Sequence, residues 1–285
     1  MSALAFVRCA GAPRDLGLDQ GRAARDAIRA AVEGARPGAL AARAARDLER
    51  FFPHHAERAQ GLSLGAGVSQ RALTASLEAL LGGDGGCALA LASERTGGGA
   101  LLGRSLAGPL LLRASAPDND YRSLELAPAA SPAAWLGVNE HGLAATAVAR
   151  PASAAQLDGC AAPAQLLVQD VLQRFDAVEK AVDWALRRPA GGCASLLLAD
   201  ATGRVAAVAI EGRARRLIGA GETALATAPA LDKSLAAARL HDVDAVARLL
   251  AENAGGLVAV ADPAGRRLGV ASAGGALAWH ALGPR

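Results

Sequence analysis

The segment Gly82-Gly83-Asp84-Gly85-Gly86 divides the chain into two kinds of hydrophobic pattern. Glycine is about 1 kcal/mol worse than alanine inside a helix, so such a stretch ends whatever helix precedes it. Upstream, apolar residues recur at three- and four-residue steps, the period of a helix with one buried face. Leu16, Ala23, Ala27, Ile28, Ala31 and Val32 do so over 15–35, and similar patterns run over 40–52 and 69–81, with Pro37 and Pro53 as breaks. Downstream, the chain reads as short strands over 87–93, 100–106, 110–114, 121–126, 134–138 and 142–149, a run that suggests antiparallel sheet.

Two helical stretches follow, 164–175 and 177–188, with Asp176 placed to cap the second. Strands resume at 194–199 and 204–211, joined by the turn residues Asp200-Ala201-Thr202-Gly203. A helical segment over 236–250 precedes a last hairpin, 256–261 and 268–271, turning at Asp262-Pro263-Ala264-Gly265. Runs of strands interrupted by helix pairs predict the α+β class, with sheet faces packed on each other and on helices. Neither a linker nor a repeat breaks the 285 residues, so a single domain over 1–285 is expected, its helical first third lying on the outside.

The hydrophobic share of 52% and charged share of 20% belong to a folded chain. No apolar run approaches the roughly 18 residues of a membrane span, and the first residues lack the charged and apolar regions of a signal peptide. A cytoplasmic protein with no membrane partner is expected. The 30 basic and 27 acidic residues are scattered and leave a net charge of +3, which argues against a nucleic-acid partner. The four cysteines Cys9, Cys87, Cys160 and Cys193 form no CxxC pair, so each is a separate thiol.

Cys87 follows Gly86 and opens a strand. A peptide bond preceded by glycine is sterically open. If it were cut, Cys87 would carry both a thiol nucleophile and an α-amine whose ordinary pKa is about 8, so one residue would hold nucleophile and base. The same placement also suits a small buried residue that merely begins a strand. Cys160 and Cys193 also follow glycines, the latter at the start of a strand, but neither has the preceding helical segment with the following strand-Gly-Arg pattern, and both read as structural. In the alternating strand 100–106, Arg104 shares a face with Leu102 and Leu106, which points its side chain inward, toward the cavity expected to hold the Cys87 sulfur. Adjacent His54 and His55 diverge on a helix and no third ligand is identifiable, so they read as a solvated helix start and no metal site is expected. His141, in a turn, and His241 and His280 are expected to be exposed. Gly97-Gly98-Gly99 opens no helix and reads as a hairpin loop instead of a phosphate cradle.

Several fragments keep one order along the chain: Gly11-Ala-Pro-Arg-Asp-Leu-Gly17 with Gln20-Gly21, then Glu57-Arg-Ala-Gln-Gly-Leu-Ser-Leu-Gly-Ala-Gly67, Gly86-Cys87, Gly103-Arg104-Ser105, Gly137-Val-Asn-Glu-His-Gly-Leu-Ala144, Asp200 to Gly203 with Glu211, and Asp262-Pro263. In this order the chain resembles the acyl-coenzyme A:6-aminopenicillanic acid acyltransferase (isopenicillin N acyltransferase) family of N-terminal nucleophile hydrolases. The resemblance implies a four-layer αββα sandwich, with 1–86 as a mainly helical pro-segment or small chain and 87–285 as the core. It implies self-processing between Gly86 and Cys87, attack by Cys87 on a small-molecule amide or acyl-thioester carbonyl, Arg104 as a catalytic partner, and no cofactor or metal. Four places depart from that pattern: Ala107 stands where the family has aspartate, Ala228 where it has asparagine, the asparagines that follow the Gly-Leu-Ala strand fall near Thr146 and Val148, and the arginine before the penultimate strand falls near Asn253-Ala254. Loss of an oxyanion donor typically costs about 100- to 1000-fold in rate, so a non-catalytic binding or partner protein is the alternative.

Overall fold

The computed structural model describes residues 4–283 apart from 84, 159, 220, 238–240, 254–255 and 273. A first strand, β1 (Ala5–Gly11), leads into α1 (Pro13–Ala23), α2 (Arg25–Val32), α3 (Ala39–Phe51), α4 (Pro53–Ala66) and α5 (Gln70–Leu81). Pro13 and Pro53 both stand in a first helical turn, where proline's missing N–H has no helical partner to lose. Pro53 therefore starts a helix as well as ending one. The helix α4 has no clear periodic signature because it is buried nearly all round, by glycine, alanine, His55 and Arg58 as much as by leucine.

The antiparallel hairpin β2 (Ala88–Leu91) and β3 (Leu101–Leu106) is joined through the single turn α6 (Ser93–Thr96). Gly108, at φ +99°, then turns the chain into a second sheet, where β4 (Leu110–Pro117), β5 (Ser123–Pro128), β6 (Leu136–Asn139) and β7 (Leu143–Arg150) pair in sequence. The six strands expected to form one run are thus divided between two sheets. The short helix α7 (Ala154–Leu157), α8 (Gln165–Arg174) and α9 (Val178–Ala185) follow, then β8 (Cys193–Asp200), β9 (Val205–Glu211), β10 (Ala214–Ile218), β11 (Ala224–Ala226), α10 (Pro229–Ala237), α11 (Val243–Asn253), β12 (Leu257–Asp262), β13 (Arg267–Ser272) and β14 (Ala278–Ala281).

Eight strands form one sheet in the order β1-β4-β5-β6-β7-β8-β9-β10, and six form the other as β11-β2-β3-β12-β13-β14. Pairing is antiparallel among the described strands except for β1, which lies parallel to β4. The two sheets pack face to face through Ala88, Ala90 and Leu102 on one side and residues such as Leu136, Ala144 and Leu197 on the other. Helices α8 and α9 cover the outer face of the eight-stranded sheet, α1, α2, α4 and α5 cover its β1 end, and α10 and α11 cover the outer face of the six-stranded sheet. The architecture is an α+β four-layer αββα sandwich. No helix among the described residues is long and apolar enough to cross a membrane.

Two helices of the first third touch backbone to backbone. A Cβ placed on Gly17 would lie 1.9 Å from the Arg58 carbonyl oxygen, and one on Gly61 would lie 1.9 Å from that of Arg14. Gly21 and Gly65 make the same approach one turn on, to the carbonyls of Leu62 and Leu18 at 2.5 and 2.4 Å. Reciprocal glycines four residues apart therefore let α1 and α4 cross in direct contact, which no side chain would permit.

Beneath that crossing lies a polar cluster with almost no exposure. Arg113 on β4 and Glu125 on β5 face each other across the ladder, with Arg113 Nε 2.5 Å from Glu125 Oε2. The guanidinium also donates to Gln20 Oε1 of α1 at 2.5 Å and to Gln169 Oε1 of α8 at 2.6 Å. Glu125 accepts further bonds from Ser115, Ser123 and Gln169, and Ser115 in turn accepts from Arg58 of α4. Burial alone would raise the Glu125 carboxyl, but Arg113 and Arg58 hold it below its ordinary range.

Other fragments have equally local reasons. Asn139 donates to the carbonyls of Leu172 and Phe175 at 2.9 and 2.7 Å and accepts from the amides of His141 and Leu143, locking the β6–β7 turn to the end of α8. Asp200 accepts from Thr202 and Arg204 within its turn and from the Val178 amide at 3.1 Å, so Asp200 serves the start of α9. Asp176, expected as the cap, pairs with Lys180 instead. Of the segment 236–250, residues 236–237 end α10 and 243–250 belong to α11, and β1, β10, β11 and β14 are edge strands whose alternation is too weak for the sequence to mark.

Removing one member of a buried ion pair strands the other, at a cost of about 3–5 kcal/mol. Glu125→Ala, which leaves both Arg113 and Arg58 uncompensated, is expected to lose stability of that order in urea unfolding. Gly61→Ala, which forces α1 and α4 apart, is expected to lose about 1–3 kcal/mol or more.

Candidate active site

Cys87 sits at the mouth of β2, directly opposite Ser105 on β3. Its carbonyl accepts from the Ser105 amide at 2.9 Å, its own amide donates to Ser105 Oγ at 2.9 Å, and its sulfur lies 3.3 Å from the same hydroxyl. One residue further on, Ala88 donates to Thr227 Oγ1 at 2.9 Å, and the Thr227 amide donates to the Ala88 carbonyl at 3.0 Å. The first two residues of the strand are thus held from both sides, by Ser105 and by the loop that follows β11. Ser105 was present in the sequence only as part of Gly-Arg-Ser. Its contact with Cys87 depends on strand register, which no spacing revealed.

Alternation along the hairpin separates the expected pair of site residues. Cys87, Leu89, Leu91 and Leu101 face α10 and α11, where they pack with Leu231, Leu235, Val246 and Leu250. Ala88, Ala90, Leu102 and Leu106 face the other sheet, and Arg104, opposite Ala88 in the ladder, points the same way. Arg104 is wholly buried, as its alternation predicted, and it donates to the carbonyls of Trp135 at 3.0 Å and Ala147, with Thr146 Oγ1 at 3.3 Å. Its guanidinium carbon stands 5.0 Å from the Trp135 ring centre. The expectation that Arg104 shares a cavity with the Cys87 sulfur is therefore corrected: the two residues lie on opposite faces of one sheet.

Ala107 is exposed at the end of β3, and Ala228 follows Thr227 and leads into α10. Neither brings a polar side chain to Cys87. Ala254 lies outside the described residues. Cys87 is 5% exposed, and Cys9, Cys160 and Cys193 are also buried free thiols. Burial pushes the Cys9 and Cys160 thiols above the ordinary range.

A second cluster stands apart, on the far side of the eight-stranded sheet. His54 and His55, in the first turn of α4, both reach Asp170 of α8: their Nε2 atoms lie 2.5 and 2.9 Å from Asp170 Oδ1. His55 and Asp170 are buried, so the expected solvated helix start without a third partner is overturned. Asp170 is 116 residues from His54 in sequence, and only the packing of α8 beside α4 brings it there. Burial pulls His55 down to about 4. His141 is exposed as expected, whereas His241 is buried, with its amide donating to the Arg95 carbonyl, and His280 is half-buried.

No family model matches the chain, and no curated protein matches it. Among solved structures it is similar to the Caenorhabditis elegans ortholog of N-acylethanolamine-hydrolyzing acid amidase, at 14% identity and a TM-score of 0.49 over 62% of this chain and 93% of that one. It is also similar to a mutant conjugated bile acid hydrolase from Clostridium perfringens, at 13% identity and 0.47 over 68% and 92%. Penicillin V acylase from Agrobacterium tumefaciens gives 16% identity and 0.44 over 70% and 79%.

A thiol is reactive as its thiolate, and burial in apolar surroundings suppresses that form. Limited iodoacetamide treatment at about pH 8, followed by peptide mapping, is expected to label Cys87 before Cys9 and Cys160. Prior labelling of either of those two would remove Cys87 from consideration. Arg104→Ala is expected to cost about 2–4 kcal/mol of stability, since it leaves a cavity and buried carbonyls without their donor. A thermal melt checks this.

Proposed function

We propose that the chain is a cysteine N-terminal nucleophile hydrolase or acyltransferase, self-processed between Gly86 and Cys87, that acts on an amide or acyl-thioester bond of a small molecule. One observation carries this reading: the nitrogen and the sulfur of Cys87 both lie within reach of a single hydroxyl, Ser105 Oγ, at 2.9 and 3.3 Å. The αββα sandwich, with Cys87 at the start of an inner strand and behind a glycine-rich loop, supports it further.

In processing, the Cys87 sulfur attacks the Gly86 carbonyl carbon. The thiol proton passes to Ser105 Oγ, the Ser105 proton passes to the Cys87 nitrogen as its bond to that carbon breaks, and water then hydrolyses the resulting thioester. Gly86 is left with a free carboxylate and Cys87 with a free amine. In turnover, the thiol gives its proton to Ser105 Oγ while the Ser105 proton passes to that amine, and the sulfur bonds to the substrate carbonyl carbon. Collapse of the tetrahedral adduct breaks the bond to the leaving group, which departs with the proton held by the α-ammonium. Water, or a second amine, then releases the acyl group from sulfur. Backbone amides near the strand start are the candidate oxyanion donors, since alanine at 107 and 228 offers no side-chain donor. Arg104 serves as a positioning residue: by binding carbonyls of the facing sheet it holds β3, and with it Ser105, in register.

A second reading, a member of this fold that binds without turnover, is favoured by one observation. Cys87 is nearly covered by the layer containing α10 and α11.

Intact-mass measurement separates the two. The purified chain is expected to appear as fragments 1–86 and 87–285, Cys87→Ala as one uncut chain, and Ser105→Ala as a slowly cut one. A wild-type chain that stays whole on prolonged incubation favours the binding reading. Because losing one catalytic proton-transfer group costs about 100- to 10,000-fold, Ser105→Ala processing at the wild-type rate would remove Ser105 from the mechanism.

A further inference from the structure

Consecutive residues on a helix point about 100° apart, so two adjacent histidines ordinarily serve different neighbours. Here they converge. The His54 and His55 rings stand 4.1 Å centre to centre, and their Nε2 atoms approach the same carboxylate oxygen. The convergence depends on α4 starting at Pro53, packing tightly against α1, and lying beside α8. It leaves buried polar atoms without hydrogen bonds among the described residues: Asp170 Oδ2, whose nearest cation is Arg174 at 3.9 Å, and His55 Nε2, whose 2.9 Å approach to Asp170 lacks hydrogen-bond alignment. A buried polar atom that stays unpaired is destabilising, so each of these favours gaining a partner.

A cavity of about 170 Å³ opens onto both histidines. It is also lined by Asp118, Asn119 and Asp120 of the β4–β5 loop, and Arg58 contributes a buried guanidinium whose Nε and Nη1 have no hydrogen-bond partner among the described residues. At roughly 30 Å³ per water, the space holds several.

We propose that His54 Nε2, His55 Nε2 and the Asp170 carboxylate form a site for a divalent transition ion of the zinc class, with a further coordination position open to this cavity. Two imidazole nitrogens and one carboxylate oxygen are the donor set of three-ligand zinc sites that keep a place for water. Imidazole also selects such ions over magnesium and calcium. Ligand atoms about 2.0–2.1 Å from a tetrahedral ion stand roughly 3.3 Å from one another, so the present separations of 2.5 and 2.9 Å need to open by less than about 1 Å. His54, with a side chain 31% exposed, has the freedom to make that adjustment. The carboxylates of Asp118 and Asp120 offset the added positive charge, and the guanidinium of Arg58 faces a water or hydroxide held at the open position.

The site lies outside the eight-stranded sheet and Cys87 lies on the outer face of the other, so it stands or falls independently of the proposed cysteine chemistry. The test titrates Co²⁺ into full-length, chelator-treated protein and follows ligand-field absorption, with Zn²⁺ stoichiometry read by native mass spectrometry. One ion per chain is expected, with no displacement by Mg²⁺. His54→Gln and Asp170→Asn are each expected to lower affinity by at least about 10- to 100-fold, the range for loss of even an outer partner of a metal ligand. Far-UV circular dichroism monitors folding. His54→Gln, at the partly exposed position, is the deciding variant if Asp170→Asn does not fold. Absence of binding at stoichiometric Co²⁺, unchanged affinity in folded His54→Gln, a thiolate charge-transfer band, or displacement by Mg²⁺ would each overturn the proposal.

Discussion

The buried pair of Arg113 and Glu125 is the interaction on which the first half of the molecule depends. Two charges taken out of water are tolerated only when nearly every donor and acceptor finds a partner, and here those partners come from three helices. Gln20 brings α1 and Gln169 brings α8 to these two side chains directly, and Arg58 brings α4 through Ser115, which donates to Glu125. The pair therefore does more than join two strands. It sets where the helices rest on the eight-stranded sheet, and through them where the first turn of α4 meets α8.

The glycine crossing works at the same place by a different physical means. Backbone contact between α1 and α4 leaves no slack for a side chain, so the two helices sit at one depth and one angle. That depth puts Arg58 under α1 and His54 and His55 beside Asp170. Polar convergence on the outer helical layer and thiol placement in the six-stranded sheet thus arise from separate packing problems, on opposite sides of the sandwich.

At the cysteine, the decisive quantity is the parity of a strand. Cys87 pairs opposite Ser105, and Arg104, one residue earlier, must then face the other way. The same parity gives Cys87 a hydroxyl at both its nitrogen and its sulfur. It commits Arg104 to the carbonyls of Trp135 and Ala147, where it ties the sheets together.

The sequence by itself determined the α+β class, the break at 82–86, the positions of most central strands and the buried state of Arg104. Each follows from local periods and glycine conformational freedom. The fragments it holds in order contain Gly17, Gly21, Gly61 and Gly65, with nothing to say what each of them packs against. Tertiary structure alone decided that these glycines meet one another, that β4 leaves the sheet of β3, that Ser105 and not Arg104 lies against Cys87, and that Asp170 closes on His54, 116 residues away, and on its neighbour His55. The physical reason is common to all four. Hydrophobic periodicity says which face of an element is buried, but it carries no information on what is buried against it. That partner is chosen by packing and hydrogen-bond satisfaction among elements far apart in the chain.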